Sequence, residues 1–594
     1  MPTTVSDPGN IATADKAVMN PSHPKWGSPV EPPRVVVDPD SFKWTETFDF
    51  VVVGLGGAGV AAAVEAAERN VSVLAVDRYE GGGSSTANGG VFYAGGGTRI
   101  QREVGVEDTP EEMFKYLRLE TQGVVADETL RRFCDTSAET VDWLLDHGAK
   151  LSSEGVCKYK INYPPLKYHL YNSDNSLVPA YAAQAKPAAR GHRTAVSNKG
   201  KAWGLGFGIW EPLRDAAFKA GVRLDKYSEG RQLILDATGR VVGIKVLTIP
   251  AGSPEAAKFA RYIRNADYLM MLIPPVLPIA AVAIGMAKRY LAAAARIEAE
   301  HREVRYIRAL QGVLLSTGGF ILNSTMVEYY APRYSRGMPN GTLGDTGSGI
   351  RLGQSAGGAL GAMGSVMGGC NINGPRAWST GIVVNKLGER ISHEGSYAAT
   401  LGHAVVHSPE GVAYLIFDAR IRKAAIKQIG FGAEIVKYQR QLAIFNLLFN
   451  IKKAATVEKL AARIGVPPEK LRATVEKHNR AARGEQLDAM GKVPAEMSVL
   501  DSGPFYAIDV SVHSRLFPLA VLTLGGLQVD EATGGVKHES GEVIQGLYAA
   551  GRTAVGICSN IYMSGLSYSD CVFSGRRAGR DVADRKQAQS EAMI

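Results

Sequence analysis

Four apolar residues, Phe50-Val-Val-Val53, run straight into Gly54-Leu-Gly-Gly-Ala-Gly59, and the helix-forming stretch Val60–Glu68 follows at once. Few folds accommodate that order. Gly54, Gly56 and Gly59 form a G-x-G-x-x-G turn between a strand and a helix. Gly54 permits the sharp turn, Gly56 lets a pyrophosphate approach the backbone, and Gly59 lets helix and strand pack closely. The unpaired N–H groups at the helix start, with Gly57 and Ala58 among the first residues, then face the phosphates. A second strand, Val71–Val76, ends at Asp77, 23 residues beyond Gly54, where a carboxylate meets a ribose hydroxyl. A glycine trio alone is only a turn. With its strand, helix and acid, it predicts a dinucleotide site.

The motif does not name the nucleotide. Ser84–Gly97 is small, polar and uncharged, so its backbone suits close approach to an extended ligand. Ser84, Ser85, Thr86, Gly89 and Gly90 are its expected contact residues. A plain flexible loop is the alternative.

At 594 residues the chain should form two or more domains, and 45% apolar with 21% charged residues fits a well-buried globular protein. The net charge of +9 comes without a long basic block or basic–aromatic interleaving, which argues against nucleic acid and for a basic surface suited to anionic lipid. Cys134, Cys157, Cys370, Cys558 and Cys571 show no C-x-x-C spacing. That predicts no metal site and a reducing compartment. Met1–Lys43 lacks the basic-then-apolar order of a secretory signal and reads as an arm.

Tyr268–Ala287 carries no charge and is bracketed by Arg261, Arg264, Lys288 and Arg289. Its length reaches the lower range for a membrane span, but Pro274, Pro275 and Pro278 leave only about ten uninterrupted helical residues. It also falls between two expected strands of one domain, Leu235–Leu247 and Arg308–Thr317, which a single crossing would place on opposite sides. A surface-lying hydrophobic hairpin fits better, with a buried or dimer-contact segment and a true span as alternatives. The expected location is cytoplasmic, with peripheral attachment to the inner face of the cell membrane, and the insert suits a poorly water-soluble substrate.

Gly312–Asn323 reads as a buried strand ending in a glycine turn. Residues 326–500, with Gly344–Gly349, the strand-like Gly381–Asn385 and helical stretches around 419–465 and 470–490, suggest an inserted domain. Leu522–Asp530, Gly546–Gly551 and a helix over about Ser567–Arg585 return to the first domain. The expected fold is α/β: an arm at 1–44, a discontinuous Rossmann-like domain at 45–325 and 506–594, and an α+β substrate domain at 326–505. Residues 250–305 form the hydrophobic surface insert. Ser564, Gly565 and Ser567 are expected to cap the last helix.

Val51–Gly59, Ser84–Gly97, Ser316–Asn323, Gly344–Gly358, Gly381–Glu394, Thr523–Asp530 and Leu547–Gly551 occur together. Jointly they resemble the flavoprotein superfamily of fumarate reductases and 3-ketosteroid dehydrogenases, over most of 46–585 apart from the insert. The resemblance implies FAD, with its pyrophosphate and ribose on Gly54, Gly56, Gly57, Ala58, Gly59 and Asp77. It implies further contacts from Ser84, Ser85, Thr86, Gly89, Gly90 and Gly551, and places Gly565, Leu566 and Ser567 at the flavin pyrimidine end.

Fumarate-reducing members clamp a dicarboxylate with histidines and arginines. Here Cys370-Asn-Ile-Asn-Gly374 replaces their histidine-bearing segment, and Ser559–Ser567 is apolar and hydroxylated, as in the ketosteroid branch. Tyr562-x-Ser564-Gly565 is more similar to the 4-dehydrogenases than to the 1-dehydrogenases. Tyr397 follows the Asn385–Arg390 landmark, where both branches place an active-site tyrosine. Ser392-His393 and the bulky Met563 depart from the pattern.

By this resemblance Tyr562 accepts the C4 proton of a saturated 3-ketosteroid, Ser564 relays or orients it, and Tyr397 assists from the opposite side, with the tyrosine roles exchangeable. The N–H at Gly565 polarises the ketone, and C5 gives hydride to flavin N5, leaving a 3-keto-4-ene. A tyrosine of ordinary pKa, near 10, is a poor base at neutral pH, so neighbouring groups are expected to ease the transfer. A 1-dehydrogenase and a reductase of another activated alkene such as fumarate stay open. So do 5α against 5β substrates, the electron acceptor and a homo-oligomeric state. Tyr163, Tyr168 and Tyr171 read as a pocket wall or as surface packing, and His393 and His403 do not form a metal site.

Overall fold

The computed structural model describes residues 30–158, 163–197, 204–272 and 279–592. Most of the 1–44 arm and the three prolines of the apolar insert therefore lie outside the described residues.

The principal sheet has Glu46–Val53 near its centre, flanked by Val73–Asp77 and Glu303–Leu315, all parallel. Phe50–Val53 is buried on both faces, which explains a continuous apolar run rather than alternation. Glu303–Leu315 changes partner along its length. Its first half pairs antiparallel with Val241–Thr248, and Val313–Leu315 pairs parallel with Leu547–Ala549 from the far end of the chain. The first domain is thus built from distant pieces, and the fold is the expected Rossmann-like arrangement. Arg34–Val35 adds an edge strand against Ile234–Leu235.

The helix Gly57–Ala67 packs on the carboxyl-terminal helix Leu566–Ala592. A Cβ at Gly575 would lie 2.2 Å from the Ala58 carbonyl oxygen, and one at Gly579 would lie 2.6 Å from that of Ala62. Small residues four apart on both helices therefore set the close crossing. Beyond them, buried Glu65 accepts from Arg576 at 2.7 Å and Arg580 at 2.8 Å. This seam brings the start of the last helix to the glycine turn.

A second core surrounds the antiparallel sheet of Ile382–Asn385, Ala413–Phe417, Phe505–Asp509 and Ile451–Ala454. The last of these strands interrupts the stretch expected to be helical over 419–465, leaving Ala419–Ile429, Lys437–Phe449 and Val457–Ile464 as separate helices.

The insert is a helical hairpin, Pro254–Leu272 and Ile279–Glu300. Thr248 lies opposite Glu303 in the sheet, so the chain leaves and re-enters at one place, and no crossing is needed. The second helix is 22 residues long, far beyond the short stretch expected after Pro278, because polar, alanine-rich sequence extends it past the apolar run. Its base is fastened: Arg78 forks onto Glu298 at 2.9 and 2.8 Å, and Tyr79 stacks on Phe259. Farther out, Tyr268, Met270, Val282 (63% accessible), Ile284 and Met286 are exposed. Among the described residues no helix is long and apolar enough to cross a membrane.

Candidate active site

The glycine turn divides its three glycines by task. Gly54 has φ +94°, and an added Cβ would meet the Ser316 carbonyl oxygen at 2.8 Å. At Gly59 it would lie 2.1 Å from the Gly54 oxygen, so strand and helix demand glycine there. Gly56 differs. Its φ is −79° and ψ −160°, ordinary extended backbone, and an added Cβ would meet nothing closer than Ser85 Oγ at 3.8 Å. Protein packing does not require glycine at 56. A ligand pressed against the backbone would.

The neighbouring loops are tied to this turn. Gly57 N–H donates to Ser85 Oγ at 2.8 Å. Asp77 accepts from the N–H of Leu55 at 2.9 Å and of Tyr79 at 2.8 Å, and burial raises its pKa despite these bonds. The acid expected on a ribose also holds the turn. Ser84 Oγ donates to Asp345 Oδ2 at 2.5 Å, and Asp345 accepts from Gly319 N–H at 3.1 Å and from Arg552 at 2.7 Å. Thr86 donates to the Gly83 carbonyl, Gly89 is covered by Tyr163, and Gly90 N–H is held by Asn88. Gly551 N–H donates to Ser574 Oγ at 2.9 Å. Asp345 and Arg552 escaped the sequence reading; only the fold joins residues that far apart. Arg552 Nη1 is buried and has no hydrogen-bond partner among the described residues. An open cradle at Gly56 and an unspent guanidinium N–H beside the last glycine turn both fit FAD.

The expected catalytic residues also converge. Gly565, at φ +90°, accepts Tyr93 N–H at 3.3 Å, and a Cβ there would strike the Tyr93 nitrogen at 2.6 Å. This pins the entry to the last helix, which starts at Leu566, one residue before the expected Ser567. Ser564 does not cap it. Ser564 N–H donates to the Ser173 carbonyl at 3.2 Å, while its hydroxyl lies 3.1 Å from that of Tyr171 and close to the Tyr397 phenol. The Gly565 N–H faces the Tyr562 hydroxyl. Met563 turns the other way, fully buried beside Tyr116, so its bulk fills core and not the reaction site.

Tyr397 sits at the start of the helix Ala398–His407 and donates its N–H to Asn175 Oδ1 at 2.6 Å. The loop before it is anchored by buried Glu394, which Arg390 grips at 2.8 and 2.6 Å and Lys492 at 2.9 Å. Burial alone would raise the Glu394 pKa, but Lys492 and Arg390 outweigh it and hold the carboxyl at about 2.

Neighbours do not make either tyrosine acidic. Burial pushes the Tyr397 phenol well up, and Tyr562 and Tyr171 add to the rise against the Ser564 hydrogen bond. Burial likewise raises Tyr562, with Cys558 adding and Arg552 opposing. A standing phenolate is disfavoured, and any proton transfer must be passed on as it happens. Tyr171 is part of this cluster and not just a wall: the Arg193 guanidinium lies over its ring at 4.9 Å and over Tyr163 at 4.4 Å. Tyr168 carries the Arg193 contact on its carbonyl, at 3.0 Å. Gly395 N–H donates to His393, and His403 stacks on His407. No metal-holding group of side chains occurs among the described residues.

A family model described as an FAD binding domain matches residues 49–565. A 3-oxo-5-alpha-steroid 4-dehydrogenase of Comamonas testosteroni is 34% identical over 516 residues, 86% of this chain and 94% of that protein. A 3-oxosteroid 1-dehydrogenase of Mycolicibacterium smegmatis is 26% identical, over 91% of this chain and 97% of its own. Among solved structures, the 3-ketosteroid-delta4-(5alpha)-dehydrogenase of Rhodococcus jostii RHA1, in complex with 4-androstene-3,17-dione, matches with TM-score 0.75 and 28% identity. That match covers 93% of this chain and all of the other.

Proposed function

This chain belongs to the FAD-binding domain family and is an FAD-dependent oxidoreductase, and from that premise we propose that it dehydrogenates a saturated 3-ketosteroid between C4 and C5. The observation that carries the proposal is the hydroxyl cluster at the start of the last helix. The Ser564 hydroxyl lies 3.1 Å from that of Tyr171, and the phenols of Tyr397 and Tyr562 lie close enough to each other and to Tyr171 to raise one another's pKa. Such a surface handles a neutral ketone and a single proton; it is not a clamp for a dianion. The relationship to the Comamonas testosteroni enzyme supports the same substrate class and ring position.

Bound FAD supplies the acceptor for the hydride that leaves C5. The chain supplies the rest. A ketone held by the Gly565 N–H has an acidified α position, and developing negative charge on its oxygen is stabilised there. Tyr562 takes the C4 proton. Since its phenol is not ionised beforehand, the Ser564 hydroxyl must receive or orient a proton in the same event. Tyr397 and Tyr171 extend the hydroxyl chain beyond Ser564. The exposed apolar end of the hairpin, near Arg261, Arg264, Lys288 and Arg289, rests on an anionic membrane face on the cytoplasmic side and gives access to a lipid-soluble substrate.

The test is anaerobic mixing of the holoenzyme with a saturated 3-ketosteroid while following the flavin absorbance. Bleaching is expected in the wild type and is slowed by at least about a hundredfold in Ser564→Ala and Tyr562→Phe. Bleaching at the wild-type rate in both variants would refute these roles.

A further inference from the structure

Glu120, near the end of the helix Pro110–Thr121, is completely buried. Its Oε1 accepts from the Tyr116 hydroxyl at 2.6 Å and from Asn175 Nδ2 at 2.9 Å. Its Oε2 is buried and has no hydrogen-bond partner among the described residues. An amide would make the same two bonds without the desolvation that a carboxylate suffers, so stability alone does not account for an acid here.

Its partners lead to both parts of the active site. Asn175 accepts the N–H of Tyr397 at 2.6 Å and donates to Thr400 Oγ1 at 2.7 Å, bracing the first turn of the Tyr397 helix. Tyr116 accepts the Asn175 N–H at 2.8 Å and stands 3.2 Å from Met563 Sδ, between Tyr562 and Ser564 in the chain. The Glu120 carbonyl accepts from Asn560 Nδ2 at 2.7 Å. One buried cluster therefore touches the Tyr397 segment and the 560–564 segment, which come from sequence regions far apart.

We propose that Glu120 is a positioning residue: through Asn175 and Tyr116 it fixes Tyr397 and the Tyr562–Ser564 segment relative to each other. This rests on the reading of those three residues given above. The cluster is also sensitive to protonation. Facing Glu120 are Tyr116 on its own helix, and Asp174 and Tyr181 on the segment carrying Asn175; Tyr93 lies beyond Tyr116. Arg190, whose guanidinium lies over the Tyr116 ring, is taken by Asp108 at 2.7 Å and reaches Asp174 only at 4.0 Å. Burial, with Asp174 adding, lifts the Glu120 carboxyl to about 7 against the bonds from Tyr116 and Asn175. Its charge thus changes at neutrality, beside the joint.

The experiment labels the holoenzyme with 3-fluorotyrosine and follows the Tyr397 fluorine resonance, assigned by its loss in Tyr397→Phe. In the wild type that resonance is expected to move with pH through an inflection near the Glu120 value of about 7, and in Glu120→Gln to stay flat. Glu120→Ala should displace and broaden it. Turnover of a saturated 3-ketosteroid should show kcat at least about tenfold lower in Glu120→Ala with KM within about threefold, and rescue by Glu120→Gln at low pH. A Tyr397 signal indifferent to both substitutions, or wild-type kcat in Glu120→Ala, would overturn the proposal. Should Glu120→Ala not fold, the titration in Glu120→Gln decides alone. If the wild type fails to turn over any 3-ketosteroid, the functional reading falls, while the resonance still tests the Glu120–Tyr397 coupling independently.

Discussion

Replacing Gly56 and Gly59 separately by alanine tests whether the glycine turn serves the protein or a ligand. At Gly59 the new methyl would sit 2.1 Å from the Gly54 oxygen and 2.9 Å from Ser316 Oγ. The helix must back away from the strand by about 1 Å, at a cost of about 1–3 kcal/mol. At Gly56 the nearest atoms are 3.8 and 3.9 Å away and the backbone is extended. Alanine there fits the apoprotein and should stabilise it by about 0.4–1 kcal/mol through the unfolded state. The same methyl projects where a pyrophosphate would approach, so FAD affinity should fall at least about tenfold, or about 1.4 kcal/mol. The assay pairs thermal unfolding of flavin-stripped protein with FAD titration followed by flavin fluorescence. Gly56→Ala should keep or raise apoprotein stability and lose FAD, whereas Gly59→Ala loses stability first. An apoprotein as damaged by Gly56→Ala as by Gly59→Ala, or wild-type FAD affinity in Gly56→Ala, would refute the assignment.

Three further outcomes are expected. Because the folded-state pKa of Glu120 is raised from 4.5 to about 7, its protonated form lends stability that is fully present below about pH 4.5 and lost as pH rises through 7; at about 1.4 kcal/mol per unit this amounts to roughly 3–4 kcal/mol. The apparent Tm of the wild type should therefore drop, relative to Glu120→Gln, between pH 5 and pH 8. Glu394→Gln removes the carboxylate that Arg390 and Lys492 share, leaving Arg390 to Asp488 and buried Lys492 with backbone carbonyls alone, and should cost about 3 kcal/mol by denaturant unfolding; in the wild type this support, from a carboxyl held at about 2, is lost only as pH falls toward that value. Changing Val282 and Ile284 to aspartate should abolish co-sedimentation with anionic vesicles while sparing turnover of a detergent-dispersed steroid, and unchanged sedimentation would remove the membrane role of the hairpin.

The nucleotide domain was legible because its signals are local. A strand, three glycines and a helix occupy adjacent residues, and the closest contact that forces a glycine, Gly59 against the Gly54 oxygen, lies within that unit. Tyr562, Ser564 and Gly565 were singled out by the resemblance, because they too lie side by side in the sequence, and their catalytic roles stand as a proposal. Ser564 was misread as a cap because its alternative partner, Tyr171, comes from nearly four hundred residues earlier. The network of Asp345 and Arg552 and the joint at Glu120 and Asn175 left no local trace, since each pairs residues that only the completed fold brings together. The hairpin shows the converse error. Three prolines suggested a short helix after Pro278, yet Ile279–Glu300 is helical throughout, because alanine-rich and charged residues beyond the apolar run propagate it.

The most direct measurement is the position of the new double bond. The holoenzyme is incubated with saturated 3-ketosteroids of 5α and 5β configuration and an artificial electron acceptor, and products are identified by mass spectrometry and NMR. The account predicts a 3-keto-4-ene from at least one configuration. A 1-ene with no 4-ene, or no dehydrogenation of either substrate, would contradict it.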